Sequence, residues 1–329
     1  MKKKILGLSV TFLFFAFILY KIDLESVLMA INSFSSSSLA HIVIIYVLSL
    51  FLRGARWKLF LGNNRKYSWF ELSEIFTIGT MLNIFLPARA GDVYRACYLG
   101  NTKQEKKMKI FGSVILERLF DGTALFAILL FATLRYFAHS KVINVTVCSV
   151  GTLFLGSLFV AFLLIRTEKI NIFLDWVEKF FRQENSNIFK RIKIYTTNFS
   201  EGFSVLQNPT SSGLAFVYSF IIWVLESVVT YLIINSFGIQ FPISAALFVL
   251  SLITFSTMIP STSIFLGPFQ AAYILALSIY GVDKEFALAV SVVHNVILTL
   301  IVTVIGLTCL LKSQLITKKD TSNRWYPYI

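Results

Sequence analysis

Six ionisable residues sit inside apolar sequence in two groups: Arg89, Asp92 and Arg95 with Asn83 just before them, and Glu117, Arg118 and Asp121 further on. A charged side chain at the centre of a bilayer costs about 3 kcal/mol or more, so such residues are paired, hydrated or functional. Glu117 and Asp121 are four apart and share one helical face, and Arg118 is within reach of Asp121 at three apart. Three positive and three negative groups would neutralise one another across a helix contact as a structural ion network. The second reading is an anion site. Pro87 breaks the preceding apolar run, and the limb that follows would start with free N–H groups aimed into the protein. Arg89 beside it is a forked donor suited to phosphate or carboxylate. Arg89, Arg95, Arg118 and Asn83 would then meet a headgroup, with Asp92, Glu117 and Asp121 as the ion-pair or gating network. The two readings are compatible.

A second break runs from Ile259-Pro260 to Gly267-Pro268, with Ser261, Thr262 and Ser263 as hydroxyl groups and Gln270 just beyond. Pro268 suits the first turn of a helix, and a kink with back-bonded hydroxyls is the plainer alternative for the break. Glu226 lies within another apolar run, where a lone carboxylate usually has a partner or a role. His294, next to Asn295, could join it in coupling, an interhelical hydrogen bond being the favoured reading. Arg53, Arg56, Trp57 and Lys58 close an apolar run and read as interfacial anchors. Glu71 and Glu74 read as surface groups. Cys97, Cys148 and Cys309 have no Cys/His spacing for a metal or disulfide framework. Phosphate-loop, zinc-protease, serine-hydrolase and dinucleotide signatures are missing. The expectation is a protein that is not an enzyme and has no cofactor.

The elements that must position these groups follow from composition. Of the 329 residues 56% are hydrophobic and only 14% charged, against roughly 25% charged in soluble domains. Mean hydropathy is +0.74. An ordinary soluble enzyme, a disordered chain and a disulfide scaffold are excluded, leaving an all-α polytopic membrane protein. Six stretches, 5–22, 39–60, 110–134, 142–165, 213–236 and 287–311, are long and apolar enough to cross about 30 Å of hydrocarbon. The first, behind Lys2–Lys4, reads as an uncleaved anchor.

The net charge of +13 is a topology signal. With both termini cytoplasmic, most Lys and Arg fall in cytoplasmic loops, leaving Lys21, Arg135, Lys141 and Lys284 outside. Nucleic acid drops out as a partner. Basic loops then flank 71–102 on the same side, and the apolar run from Ile75 to Leu86 is too short to span. A re-entrant hairpin is expected there, and a second re-entrant hairpin or two short spans over 243–281. Paired interrupted segments entering from opposite faces suggest an inverted repeat. Within this single membrane domain, 166–212 reads as an amphipathic helical loop on the anionic cytoplasmic leaflet, with a solvated connector as the alternative.

The order Asn83, Leu86-Pro87, Arg89-Ala90-Gly91-Asp92, Arg95, then Glu117-Arg118, Asp121 and the Pro260 to Gly267 break resembles the membrane region of lysylphosphatidylglycerol synthase/flippase proteins. Arg53, Arg56 and Trp57 fit as well, and the likeness covers about residues 40–310. It implies a stand-alone flippase-like domain of the cell membrane, without a soluble aminoacyl-transferase domain. The lipid moved would be anionic, aminoacylated or polyprenyl-phosphate-linked, and partners would be membrane lipids and an envelope-biosynthesis enzyme. The alternatives are a membrane-embedded glycosyl or acyl transferase, with Glu117 or Asp121 as base, and a non-catalytic accessory subunit. Asp92 stands where the family commonly has Glu. Gln270 stands where it often has Glu, which removes a carboxylate from the second break.

Overall fold

A computed structural model describes residues 24–62, 66–86, 89–136, 151–152, 156, 187–257 and 267–321. Every regular element among them is helical. In chain order they are α1 (Leu24–Asn32), α2 (Leu39–Phe60), α3 (Trp69–Phe85), α4 (Ala90–Lys103), α5 (Lys107–Tyr136), α6 (Asn187–Glu201), α7 (Pro209–Asn235), α8 (Ile243–Ser256), α9 (Pro268–Ser278) and α10 (Lys284–Thr321). Short 3-10 turns cover Ser36–Ser38 and Ser204–Gln207.

Three segments, Ser36–Phe60, Pro209–Asn235 and Lys284–Ser313, are long and apolar enough to cross a membrane. They correspond to the expected spans 39–60, 213–236 and 287–311. Helix α5 has the length, with 30 residues, but carries Glu117, Arg118 and Asp121. The expected spans 5–22 and 142–165 lie outside the described residues, except for Gly151, Thr152 and Gly156.

Local chemistry sets the helix ends. Asn208 caps α7 by accepting from the Thr210 and Ser211 amides at 3.1 and 3.2 Å, with Pro209 in the first turn. Gly267 opens α9 at a φ of 98°, which favours glycine. Its N–H donates to Gln270 Oε1 at 2.7 Å.

Helices α3 and α4 form the hairpin expected at 71–102. At 17 and 14 residues they are about 26 and 21 Å long, shorter than the hydrocarbon thickness. A salt bridge between Glu71 and Lys103 at 2.8 Å joins their outer ends. Near the tip they pack so closely that a methyl group on Gly91 would overlap the Gly79 carbonyl and stand 2.8 Å from Asn83 Oδ1. Pro87 and Ala88 lie outside the described residues.

Helix α3 also packs along α10, where Glu74 pairs with Lys312 at 2.5 Å and Met81 fills the space beside Gly306. Helices α8 and α9 flank the second break. Pro260, Ser261 and Thr262 fall outside the described residues.

Of the expected amphipathic loop, α6 is described. Its end packs on α5, with Gly112 facing Phe199 and Gly202. Phe111 and Phe199 have ring centroids 6.3 Å apart. Ile194 and Tyr195 remain exposed.

Two larger apolar clusters, with a small third one around Leu129, Ala132 and Phe248, form the core of the described residues. One gathers residues of α1–α3, α5 and α7–α10, including Phe76 and Trp223. The other lies around Trp57, Leu72, Leu99, Val114 and Phe203. Aromatic residues from both clusters touch the buried arginines, so the charged residues are held between them.

Candidate functional site

Helix α2 places Ser49, Arg53, Arg56 and Trp57 on one stripe, at spacings of four, three and one. Arg56 is fully buried. Its guanidinium makes two bonds to Asp121, at 2.5 and 3.2 Å. It also reaches Ser219 at 2.7 Å and Glu117 at 3.5 Å. Arg53 pairs with Glu226 at 2.5 Å and lies 3.7 Å from Asp121. Ser49 donates to the same Glu226 carboxylate at 3.4 Å. The Trp223 indole N–H donates to Asp121 at 2.9 Å, and Arg53 lies over that ring at 4.9 Å.

From the hairpin, Arg95 bonds Glu117 at 2.8 Å. It is sandwiched between the Trp57 and Phe76 rings, at 4.1 and 4.5 Å. Asp92 accepts from Arg118 at 3.0 Å and from the Asn83 side-chain amide at 3.0 Å. The Asp92 backbone N–H in turn donates to Asn83 Oδ1 at 3.2 Å. Asp92 and Arg95 are 3.9 Å apart.

These contacts form one unbroken chain of alternating charge. It runs Glu226, Arg53, Asp121, Arg56, Glu117, Arg95, Asp92, Arg118, with every neighbouring pair within 4 Å. Four guanidinium groups meet four carboxylates, drawn from α2, α4, α5 and α7. In a medium of low polarity this neutral alternation is how so many charges stay buried, because each would be costly alone.

Arg89 stands apart from the chain. It occupies the left-handed backbone region, φ 52° and ψ 45°, at the start of α4. A non-glycine residue there is held at a cost of about 1–2 kcal/mol. Among the described residues no carboxylate lies within salt-bridge distance of its guanidinium, whose contact is the Thr257 carbonyl at 3.4 Å. Thr257 ends α8, so this bond joins the tip of the first hairpin to the second break. The charges that act on Arg89 are Arg118, Asp92 and Asp121. Arg118 itself is about a third exposed, and its Nε has no acceptor among the described residues.

The sequence profile of the lysylphosphatidylglycerol synthase TM region matches residues 4–306. The chain belongs to that family. It is 27% identical over 221 residues to a UPF0104 membrane protein of Methanocaldococcus jannaschii, covering 66% of this chain and 87% of the relative. A UPF0104 membrane protein of Methanothermobacter thermautotrophicus is 24% identical over 255 residues, covering 73% and 74%. No solved structure gives a significant match.

In this member of the lysylphosphatidylglycerol synthase TM region family, the expectations for Arg53, Arg56, Trp57 and Arg118 need correction. Arg53, Arg56 and Trp57 are not interfacial anchors. They are buried, and the two arginines supply half of the positive charge in the chain. Arg118 bonds Asp92 instead of its neighbour Asp121, because Arg53 and Arg56 already occupy the Asp121 carboxylate. His294 makes the interhelical hydrogen bond favoured over coupling to Glu226, its partner being the Tyr273 hydroxyl, with Phe269 packed edge-on against it. Arg95 is almost fully buried and bound to Glu117. Gln270 caps the first turn of α9 through the Gly267 amide. Among the described residues, no cluster of His, Cys, Asp or Glu has the makings of a metal site.

Proposed function

We propose that this protein moves an anionic lipid headgroup between the leaflets of the cell membrane, with Arg89 as the group that meets it. The observation that carries this reading is the charge balance. Five buried or half-buried arginines face four carboxylates, and Arg89 is the one outside the alternating chain. It feels the like charge of Arg118 as well as the Asp92 and Asp121 carboxylates, but with no ion-pair partner of its own it makes a site that an entering phosphate would neutralise. Phe85, Leu86 and Val93 are exposed around the same tip, a setting that suits acyl chains attached to the phosphate better than a free aqueous anion.

In this reading α3–α4 is a re-entrant hairpin. Its outer end, with Lys103, Lys106, Lys107, Lys109 and Lys312 nearby, faces the cytoplasm, and both termini lie on that side. The second break comes from the opposite face, and transport would be a rocking of the two parts about the Arg89–Thr257 contact. Arg95 serves as a strut of the network, whereas Arg118 is exposed enough to share the ligand. A transferase would need a free carboxylate as base, and Asp92, Glu117, Asp121 and Glu226 are all bound to guanidinium groups.

The test is headgroup translocation in reconstituted vesicles carrying labelled anionic or zwitterionic lipids. Wild type is expected to accelerate the anionic lipids, and Arg89→Gln to lose most of that acceleration. Wild-type rates equal to those of protein-free vesicles for every headgroup class would refute the proposal.

A further inference from the structure

Arg118 ends the alternating chain, and that place sets it apart from the other three arginines in it. Arg53, Arg56 and Arg95 each have two carboxylates within 4 Å, and their side chains are at most 8% exposed. Among the described residues Arg118 has one, Asp92, and its side chain is 32% exposed. Both of its hydrogen bonds to that carboxylate leave from Nη2, at 3.0 and 3.3 Å, so the pair is not the two-pronged contact a guanidinium can make. Of the charges that act on Arg89, Arg118 is the strongest. A phosphate that neutralises Arg89 therefore draws on Arg118 as well. Asp92 is held differently. It accepts from the Asn83 side-chain amide at 3.0 Å, its own backbone N–H donates to Asn83 Oδ1 at 3.2 Å, and Arg95 stands 3.9 Å away. It also lies in the first turn of α4, where the helix dipole favours a carboxylate. Asp92 thus keeps partners when Arg118 leaves it, and an anion from outside can take Arg118 without stranding a buried charge.

We infer that Asp92 is a built-in competitor for the headgroup: a lipid phosphate takes Arg118 from it on entry, and Asp92 takes Arg118 back on exit. Asn83 is the positioning residue that keeps the carboxylate in place between the two events. This inference rests on the lipid-phosphate site proposed at Arg89 and adds how such a site lets go. Two arginines without a rival anion would hold a phosphate tightly and release it slowly. A carboxylate poised beside one of them weakens the bound state and speeds release.

The experiment places the full chain in phosphatidylcholine nanodiscs with increasing phosphatidylglycerol and reads bound lipid by native mass spectrometry. Each variant is also assayed for translocation of labelled phosphatidylglycerol in vesicles. Asp92→Asn can still accept from Asn83. It should lower the half-saturating phosphatidylglycerol fraction about tenfold, the size of one hydrogen bond to a charged group, and slow translocation at saturation. A merely structural lesion at this tip would weaken binding instead of tightening it. Asp92→Glu restores a competing carboxylate and should return both readouts towards wild type. In Asp92→Asn combined with Arg118→Gln, the gain in binding should vanish, because it acts through Arg118. Folded Asp92→Asn that binds no tighter than wild type, or a gain that survives the loss of Arg118, would overturn the inference. If wild type translocates the lipid while Asp92→Asn binds no tighter, the competitor falls and the transport reading stands. If Asp92→Asn binds tighter but wild type translocates nothing, the competitor stands and the transport reading falls. Absence of saturable binding in both proteins would sink the two together.

Discussion

Consider removing Asp121 from the alternating chain. In Asp121→Leu, Arg56 loses both of its bonds to that carboxylate, keeping Ser219 at 2.7 Å and Glu117 at 3.5 Å. Trp223 loses the acceptor for its indole N–H. Arg53 keeps Glu226. Breaking one partner of a buried ion pair costs about 3–5 kcal/mol. The residual Glu117 contact puts Arg56 at the lower end, and the stranded indole adds about 1 kcal/mol, for a total of about 4 kcal/mol. Arg56→Met strands Asp121 less, because Arg53 and Trp223 remain, and should cost about 3 kcal/mol. If the pair acts as a unit, the double variant should cost no more than the worse single. Its coupling energy is then about 3 kcal/mol. Reversible unfolding in mixed micelles, followed by tryptophan fluorescence, gives all three differences. Additive losses, with coupling below about 0.5 kcal/mol, would refute the claim that these charges are buried as one mutually neutralising unit.

Three further outcomes are expected. Gly91→Ala should push α3 and α4 apart at the tip, lowering stability by about 1–3 kcal/mol and raising maleimide labelling of the half-buried Cys97. Gln270→Ala should strand the Gly267 N–H and cost about 1 kcal/mol in a melting experiment, whereas Gln270→Glu keeps an acceptor and most of that stability. In the turns joining α2 to α3 and α4 to α5, the Lys66 ammonium holds the Glu105 carboxyl below the usual carboxylate range. That contribution is fully present above the unfolded pKa of about 4.3 and is lost as pH falls through the lower folded value. Both groups are partly exposed, so it is worth less than about 1 kcal/mol. The protection factor of the Tyr67 amide, which removes the intrinsic pH dependence of exchange, should stay flat from neutral pH down to about 5 and fall only under stronger acid.

The hairpin was legible in the sequence because three separate signals agreed: a run too short to cross, a proline at its end, and basic loops on both sides. The charged clusters were legible too, since ionisable residues in apolar runs announce themselves. Their pairing was not. Within the two clusters Arg89, Arg95 and Arg118 already balanced Asp92, Glu117 and Asp121, so neither cluster called for Arg53 or Arg56. Those two sit next to Lys58, where a basic helix end is the ordinary pattern. The signal that could have found them was their stripe with Ser49 and Trp57, a polar face on an apolar helix. Glu226 needed a cation at matching depth, and Arg53, in the half of α2 nearer its basic end, supplies one. The Gln270 cap was hidden for a different reason: a side chain that satisfies one backbone N–H leaves no charge pattern to read.

The central claim is that Arg89 is the surplus cation that receives a lipid phosphate. Native mass spectrometry of the protein released from bilayers containing both anionic and zwitterionic phospholipid addresses it directly. Wild type should retain an anionic lipid at low collision energy, Arg89→Lys should hold it more weakly, and Arg89→Gln should lose it while remaining folded. Retention of the same anionic lipid by folded Arg89→Gln, at the same collision energy as wild type, would contradict the account.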